Sequence, residues 1–319
     1  MGAGLSFRPR IRPRERLSRF SSIRIGGPVG AVVSVSSAAE MEEVFSLKCR
    51  GEMPGPLVFV GRGSNILFPD QGFEGTLVRL EPAALSSPLR WTENGEVYVE
   101  AGYPLPALAR EASRRGVGGF EFLSGIPGTV GGASVMNAGA GGRDFASLCK
   151  SVTVMSPSGL VTTVPAEQMG FGYRTSRLSL SGSHFRRPAS SGDPLDGSVV
   201  LGALLAGRPG SPEECQALLL RHLEYRKKTQ PLEEPSLGSV FRNPSGGPPG
   251  YTAGRLIEEA GLKGTCRGGI MVSPRHANFF VNTGTGCERD FRELLEYVSL
   301  RVRERWGIVL EPEVRVWNA

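Results

Sequence analysis

SGIPGTVGGASVMNAGA, residues 124–140, holds five glycines, three alanines and no charged residue. Side chains this small bury too little apolar area to build a core, and so many glycines weaken a helix. A bare backbone instead suits the close approach of another molecule. Successive N–H groups in a turn form a nest for anions, phosphate above all. A second stretch reads the same way. GRGSNILFPD (61–70) directly follows the apolar run PLVFV, with Gly61 and Gly63 opening a turn and Arg62, Ser64 and Asn65 supplying donors. Either stretch alone is as well explained by a tight loop; the two together favour a dinucleotide. The usual fingerprints are absent. There is no GxGxxG and no GxxxxGK[ST], and Ile66 stands where the third glycine of the first pattern belongs. The motifs of a Rossmann site and of a P-loop are therefore missing, and a bound dinucleotide implies another fold.

The rest of the chain narrows the class. Its 319 residues suit two or three domains, and 39% apolar with 21% charged residues describe a folded soluble protein. The net charge of +6 invites a nucleic-acid reading, but its distribution argues against one. Of 37 basic and 31 acidic residues, the first 24 positions hold seven arginines and one acid, which leaves 30 of each in the body. The Arg- and Pro-rich start, GLSFRPRIRPRERLSRF, has no apolar run for a secretory signal. It is expected to be a solvated extension outside the fold. No stretch approaches the roughly 18 apolar residues of a membrane span. Five scattered cysteines without a CxxC pattern indicate a reducing compartment, and three histidines without HExxH give no metal site. A monomer in the cytoplasm, with no nucleic-acid or membrane partner, is the expectation.

Hydrophobic periodicity lays out an α+β chain. Helices are expected over 38–51 and 104–116, each ended by a glycine, and strands over 56–61, 76–80 and 96–102. SVTVMSPSGLVTTVP (151–165) reads as a hairpin about an SPSG turn. VVLGALLAG (199–207) reads as a buried strand, and 183–197 as a surface loop. Ser211 caps and Pro212 opens a helix running toward Gln230-Pro231. DFRELLEYVSLRVRERWG (290–307) places Phe291, Leu294, Leu295, Val298, Val302 and Trp306 on one face. VLEPEVRVW (309–317) reads as the last strand.

Three further segments carry groups able to do chemistry. FGYRTS (171–176) presents Arg174 beside an aromatic residue. PSLGSVFRNP (235–244) sets Ser239 after Gly238. EPEVR (311–315) places Glu311, Glu313 and Arg315 on one face of a strand. Singly, each reads as structural: an arginine pairing a carboxylate, a capping serine, an edge-strand glutamate. Their order along the chain is more specific. GRGSN, SGIPGTVGGASVMNAGA, FGYRTS, QPLEEPSLGSVFRNP, AGRLIEEAGLKG and LEPEVR follow one another over residues 20–317. This series resembles the UDP-N-acetylenolpyruvoylglucosamine reductase (MurB) family, in its shorter, type II form.

The resemblance implies an FAD-binding fold of the vanillyl-alcohol oxidase type, in two α+β subdomains, with a third α+β domain over the substrate. The corresponding boundaries are a basic tail (1–20), FAD subdomains at 21–82 and 83–208, and a substrate domain at 209–319. It implies noncovalent FAD, held by Gly61, Arg62, Gly63, Ser64, Asn65, Ile66 and Leu67 in the first loop. From the second loop come Gly125, Ile126, Pro127, Gly128, Gly131, Gly132, Ala133, Asn137, Gly139 and Ala140, joined by Tyr103 and Arg315. It implies NADPH as co-substrate, and a hydride delivered to the vinyl carbon of UDP-N-acetylglucosamine enolpyruvate. Arg174 and Glu313 then stabilise the resulting enolate and Ser239 protonates it. Tyr173, Gly238, Arg242, Asn243 and His276 fall near the substrate. Where the longer form has a phosphate-binding lysine this chain has Thr229, with Lys228 one residue before. The competing reading is another FAD-dependent oxidase of the same fold. Such enzymes often attach flavin through His or Cys, and neither glycine loop contains one.

Overall fold

The computed structural model describes residues 10–81, 88–180, 195–245 and 250–317. Most of the expected loop at 183–197, and the first nine residues, lie outside the described residues. The chain divides into two compact units: residues 1–15, 29–61 and 74–223 form one, and 16–28, 62–73 and 224–319 the other. The expected contiguous piece 21–82 is thus shared between units, and the expected break at 208/209 falls at 223/224 instead, within a continuous helix, Pro212–Thr229.

The first unit carries two sheets. One orders its strands Arg10–Pro13, Val29–Val35, Phe73–Leu80, Leu57–Phe59, the last two parallel. The other orders Val161–Pro165, Cys149–Met155, Val199–Ala206, Glu96–Glu100, Leu89–Trp91, with every neighbouring pair antiparallel. The hairpin turn is as expected: the Gly159 N–H donates to the Ser156 carbonyl at 2.9 Å. Helix Leu105–Arg114 buries Leu105, Leu108, Ala109 and Ala112, the i, i+3, i+4, i+7 stripe of an amphipathic helix, in a core with Val97, Val99, Phe120 and Phe145. Helix Ala38–Cys49 starts at Ser37, whose hydroxyl accepts from the Glu40 N–H at 3.2 Å. It buries Met41, Val44 and Phe45 with Val33, Val35 and Val78.

The second unit holds a sheet ordered Ser236–Ser239, Phe279–Asn282, Ile270–Val272, Cys266–Arg267. Helix Glu288–Trp306 packs Phe291, Leu294, Val298 and Val302 into a core shared with Ile257 and Phe280, and stops at Gly307, left-handed at φ 69°. The expected last strand is shorter than read. Only Arg315–Val316 enters a ladder, parallel to Ile66–Leu67. Pro312 breaks the run, because proline cannot donate to a ladder.

The Arg-rich start is a correction to the sequence reading. Arg10–Pro13 is an edge strand, antiparallel to Ala31–Ser34, and Leu17–Phe20 is a 3₁₀ turn. Leu17 and Ile23 are fully buried, Ile23 in the core of the second unit. Charge density hid two short apolar anchors, Leu17-Ser-Arg-Phe20 and Ile23-Arg-Ile25, spaced too closely for a periodic signal. The exposed Arg10 also suits an edge strand, since charge on an edge discourages strand addition.

Candidate active site

Each unit assembles one part of the predicted chemistry. In the first unit the bare loop is less of an amide nest than its composition suggests. Gly128 N–H donates to Ile126 (2.8 Å), Gly131 N–H to Ala101 (2.8 Å) and Ala133 N–H to Thr129 (2.9 Å), all carbonyls. These residues offer a ligand the absence of a side chain rather than a donor. The reasons for glycine separate by position. A Cβ on Gly131 would come within 3.0 Å of the Ala101 Cβ, and one on Gly61 within 2.5 Å of the Thr129 hydroxyl, so packing explains both. Gly128 and Gly132 are different. A Cβ on Gly128 would meet Leu105 at 3.4 Å and Ile126 at 3.9 Å, and one on Gly132 Thr129 at 3.7 Å, all ordinary contacts, and neither φ is left-handed. Nothing in the chain itself requires glycine at these two, whereas a ligand lying on the loop would.

Ser124, at the head of the same loop, has a buried hydroxyl that no described residue bonds. Such a group calls for an external partner. Sequence reading missed it, although its place ahead of Gly125 was a visible signal. The room above Gly128 and Gly132 and the orphaned Ser124 hydroxyl both fit a flavin dinucleotide lying on this face. Tyr103 borders the loop, its carbonyl accepting from the Val130 N–H at 3.0 Å. Burial, ahead of the nearby Glu111, holds its phenol above the usual range. Ala133 is buried. Asn137 is 2% exposed, and both hydrogens and the oxygen of its amide are used inside the protein. Its side chain therefore supports the loop. Arg174 lies in the same unit, its Nη2 donating to the Gly139 carbonyl at 2.8 Å and its guanidinium 5.2 Å from the Tyr173 ring. Tyr173 itself is 52% exposed.

The second unit brings together Ser239, Arg242, Glu313 and Arg315. Strand Ser236–Ser239 pairs with Phe279–Asn282 through a bulge: Ser236 opposes Val281, but Ser239 opposes Phe279. Gly238 takes the extra position at φ 76°, where a side chain would be strained. The bulge sets the direction in which Ser239 leaves the strand. One residue on, the Val240 carbonyl accepts from the Glu313 N–H at 2.7 Å, and Arg242 N–H donates to the Glu311 carbonyl at 2.9 Å. The serine and glutamate segments thus run side by side. The first glycine loop joins them. Asn65 Nδ2 donates to the Glu313 carbonyl at 3.2 Å, and the Arg315 N–H donates to the Asn65 carbonyl at 3.0 Å. Gly63 is left-handed at φ 63°, and a Cβ there would collide with the Phe20 carbonyl. Ile66 and Leu67 are buried and pair with Arg315–Val316, so they support the loop from behind. Arg62 is exposed.

Two cations meet here. Burial, then the neighbouring Arg242, pulls Arg315 below its usual range. Arg242 Nε is buried, and no described residue accepts from it. A cationic pair of this kind suits an anionic ligand. Asn243 Oδ1 accepts at 3.1 Å from the N–H of Ala253, the first residue of helix Ala253–Glu259, whose N-cap is Thr252. Half-buried His276 accepts at Nδ1 from the Asn278 N–H (3.2 Å), which makes Nε2 its donor nitrogen; burial leads the fall in its pKa. Arg226 was not anticipated. Burial lowers it to about 10, and its charge reaches His276. Lys228 is exposed on the same helix. Arg226 is thus the better buried cation of the EYRKK run.

An FAD binding domain model matches residues 29–165. That domain, with a loop whose spare glycines leave room for a ligand, defines the class as a flavin-dependent oxidoreductase. A model of the UDP-N-acetylenolpyruvoylglucosamine reductase C-terminal domain matches residues 230–317. The chain is 40% identical over 311 residues to UDP-N-acetylenolpyruvoylglucosamine reductase 2 of Symbiobacterium thermophilum, covering 97% of this chain and 92% of that protein. It is 40% identical over 307 residues to the reductase of Synechocystis, covering 96% and 90%. The crystal structure of the MurB enzyme of Thermus caldophilus superposes with a TM-score of 0.76 at 33% identity, covering 97% of this chain and all of that one. The chain belongs to the UDP-N-acetylenolpyruvoylglucosamine reductase family.

Proposed function

We infer that the protein reduces UDP-N-acetylglucosamine enolpyruvate to UDP-N-acetylmuramate with NADPH, in peptidoglycan precursor synthesis. The observation that carries the residue roles is the pairing of the Ser239 and Glu313 segments through the Val240 carbonyl. FAD, when bound, supplies the carrier that accepts reducing equivalents from NADPH and delivers hydride to the vinyl carbon of the substrate.

The chain's own residues do the rest. As the vinyl carbon gains hydride, negative charge grows on the enolpyruvyl carboxylate. Arg174 offers that carboxylate a planar guanidinium fork that matches its two oxygens. Glu313 orients the enolic form. Ser239 gives its proton to the adjacent carbon. A hydroxyl is a weak acid, but an enolate of a carboxylate is a strong base, and the transfer runs downhill. Arg242 and Arg315 take phosphate charge, and His276 offers its Nε2–H to substrate or NADPH. Among the described residues no helix is long and apolar enough to cross a membrane, and all five cysteines are free. A monomer working in the cytoplasm goes with this reading. Purified protein is expected to oxidise NADPH only when the enolpyruvyl substrate is present, with UDP-N-acetylmuramate formed in equal amount. Rapid oxidation of NADPH by oxygen alone, with no such product, would make it an oxidase.

A further inference from the structure

Arg174 holds a backbone conformation that its residue type disfavours. Gly172 and Thr175 close a two-residue turn, each N–H donating to the other's carbonyl at 3.0 and 3.2 Å. Arg174 is the third residue of that turn, at φ 58°, where glycine or asparagine is usual. A strained residue of this kind persists only where its surroundings hold it. The holders come from the bare loop. Asn137, itself left-handed at φ 43°, donates from Nδ2 to the Gly172 carbonyl at 2.9 Å and to Asp144 Oδ2 at 3.0 Å. Its Oδ1 accepts from the Ala146 N–H at 2.9 Å. Two residues along, the Gly139 carbonyl takes the Arg174 Nη2 hydrogen bond. The loop therefore grips both the turn and the side chain that the turn presents.

We propose that Asn137 is a positioning residue for Arg174, fixing the Gly172–Thr175 turn so that the guanidinium meets the substrate carboxylate as charge develops. The proposal rests on the enolate-stabilising role of Arg174. Asn137 touches neither substrate nor the reacting atoms; it acts through the Gly172 carbonyl. The bland alternative is that Asn137 merely stiffens the loop. In that case its loss weakens FAD retention and every kinetic step alike. A displacement of the guanidinium on the order of 1 Å instead costs about 100-fold in the one step that uses it.

Asn137→Asp separates the two. It keeps an acceptor for Ala146 and a residue type that tolerates the left-handed region, but it places a second carboxyl against Asp144, with which it shares one proton, and so loses the donor to Gly172. FAD content and NADPH-driven bleaching of the flavin are expected to stay within about twofold of wild type, while reoxidation by the enolpyruvyl substrate slows by about 10–100-fold. Calorimetric affinity for UDP-N-acetylmuramate, which carries the product carboxylate, is expected to fall as well. In Asn137→Asp/Arg174→Lys, reoxidation should be no slower than in Arg174→Lys alone, since both changes break one unit. Fully additive losses, or wild-type reoxidation in Asn137→Asp beside a slow Arg174→Lys, overturn the proposal. Wild-type reoxidation in Arg174→Lys overturns the role of Arg174 first, and the two failures are told apart by which single variant is silent. If Asn137→Asp does not fold, Asp144→Ala, at a partly exposed position, removes the carboxylate that orients the same amide. Selective slowing of reoxidation there supports the proposal and an unchanged rate overturns it.

Discussion

Asn278 holds Phe241 by both ends of its amide: the Phe241 N–H donates to Oδ1 at 2.9 Å, and Nδ2 donates to the Phe241 carbonyl at 2.8 Å. The Asn278 carbonyl adds a third bond, from the Val240 N–H at 2.8 Å. Together they clamp the two residues after Ser239. Asn278→Ala leaves the Phe241 N–H and carbonyl buried and unpaired, at about 1–3 kcal/mol each. A loss of about 2–4 kcal/mol in urea unfolding is expected, and an unchanged midpoint would show that the clamp is slack.

Leu17 tests the correction at the N-terminus. It is fully buried in a segment that composition marked as a tail. Leu17→Ala should cost about 2–5 kcal/mol, and deleting residues 1–18 should cost more. Calorimetric melting of the two variants checks this. Melting temperatures equal to wild type would restore the reading of a dispensable extension.

The glycines of the bare loop make opposite predictions a residue apart. Gly132→Ala has room for its methyl group and lies in the helix Val130–Met136, where alanine is favoured over glycine by about 1 kcal/mol. The FAD-free protein should be as stable as wild type or slightly more so, while FAD binds more weakly by titration. Gly131→Ala pushes against Ala101 and should lower stability with or without FAD. Unaltered FAD affinity in Gly132→Ala would mean that the ligand does not lie on that face.

The same loop shows how far the sequence reaches. Its composition favoured a dinucleotide only together with the second glycine stretch, and the order of motifs carried the resemblance to the family. Helices with clean periodicity, such as Leu105–Arg114 and Glu288–Trp306, were legible because burial repeats every three or four residues. What escaped was set by long-range pairing. Nothing local in EPEVR says that its backbone bonds first to Val240 and then to Asn65. Asn137 was read as a cofactor contact from the resemblance; only the fold shows its amide turned toward Gly172. Arg226 was hidden among four other charged or aromatic neighbours in EYRKK, and burial alone singles it out.

His276 gives a pH dependence with a definite sign. Burial lowers its pKa below 6.5 in the folded state. The unfolded chain therefore takes up a proton at a higher pH than the folded one. Stability is full above about 6.5 and falls as pH drops through that value toward the folded pKa. His276→Gln removes this contribution. Urea unfolding at pH 7.5 and pH 5.5 should show a smaller acid loss in the variant than in wild type. Equal losses would mean that His276 takes up its proton in the folded state as readily as in the unfolded chain.

Ser239→Ala separates the two halves of the reaction. NADPH-driven flavin reduction uses no proton donor, so it should run near the wild-type rate. Transfer to the enolpyruvyl substrate should slow by about 10²–10⁴, the usual worth of a positioned general acid. FAD content should stay full, because Ser239 belongs to strand Ser236–Ser239 of the second unit and is not part of the loop 124–140. Ser239→Cys should recover part of the rate, since a thiol also gives a proton. Gly238→Ala is the geometric companion. At φ 76° with nothing within 4 Å of its Cβ, the added methyl group meets no neighbour, and any effect arises from the backbone. It should slow the second half-reaction alone by redirecting Ser239. Stopped-flow absorbance reads both steps, once on mixing with NADPH and once on mixing reduced enzyme with substrate. Equal slowing of both in Ser239→Ala would make the serine structural. Unchanged reoxidation would assign the proton to another group.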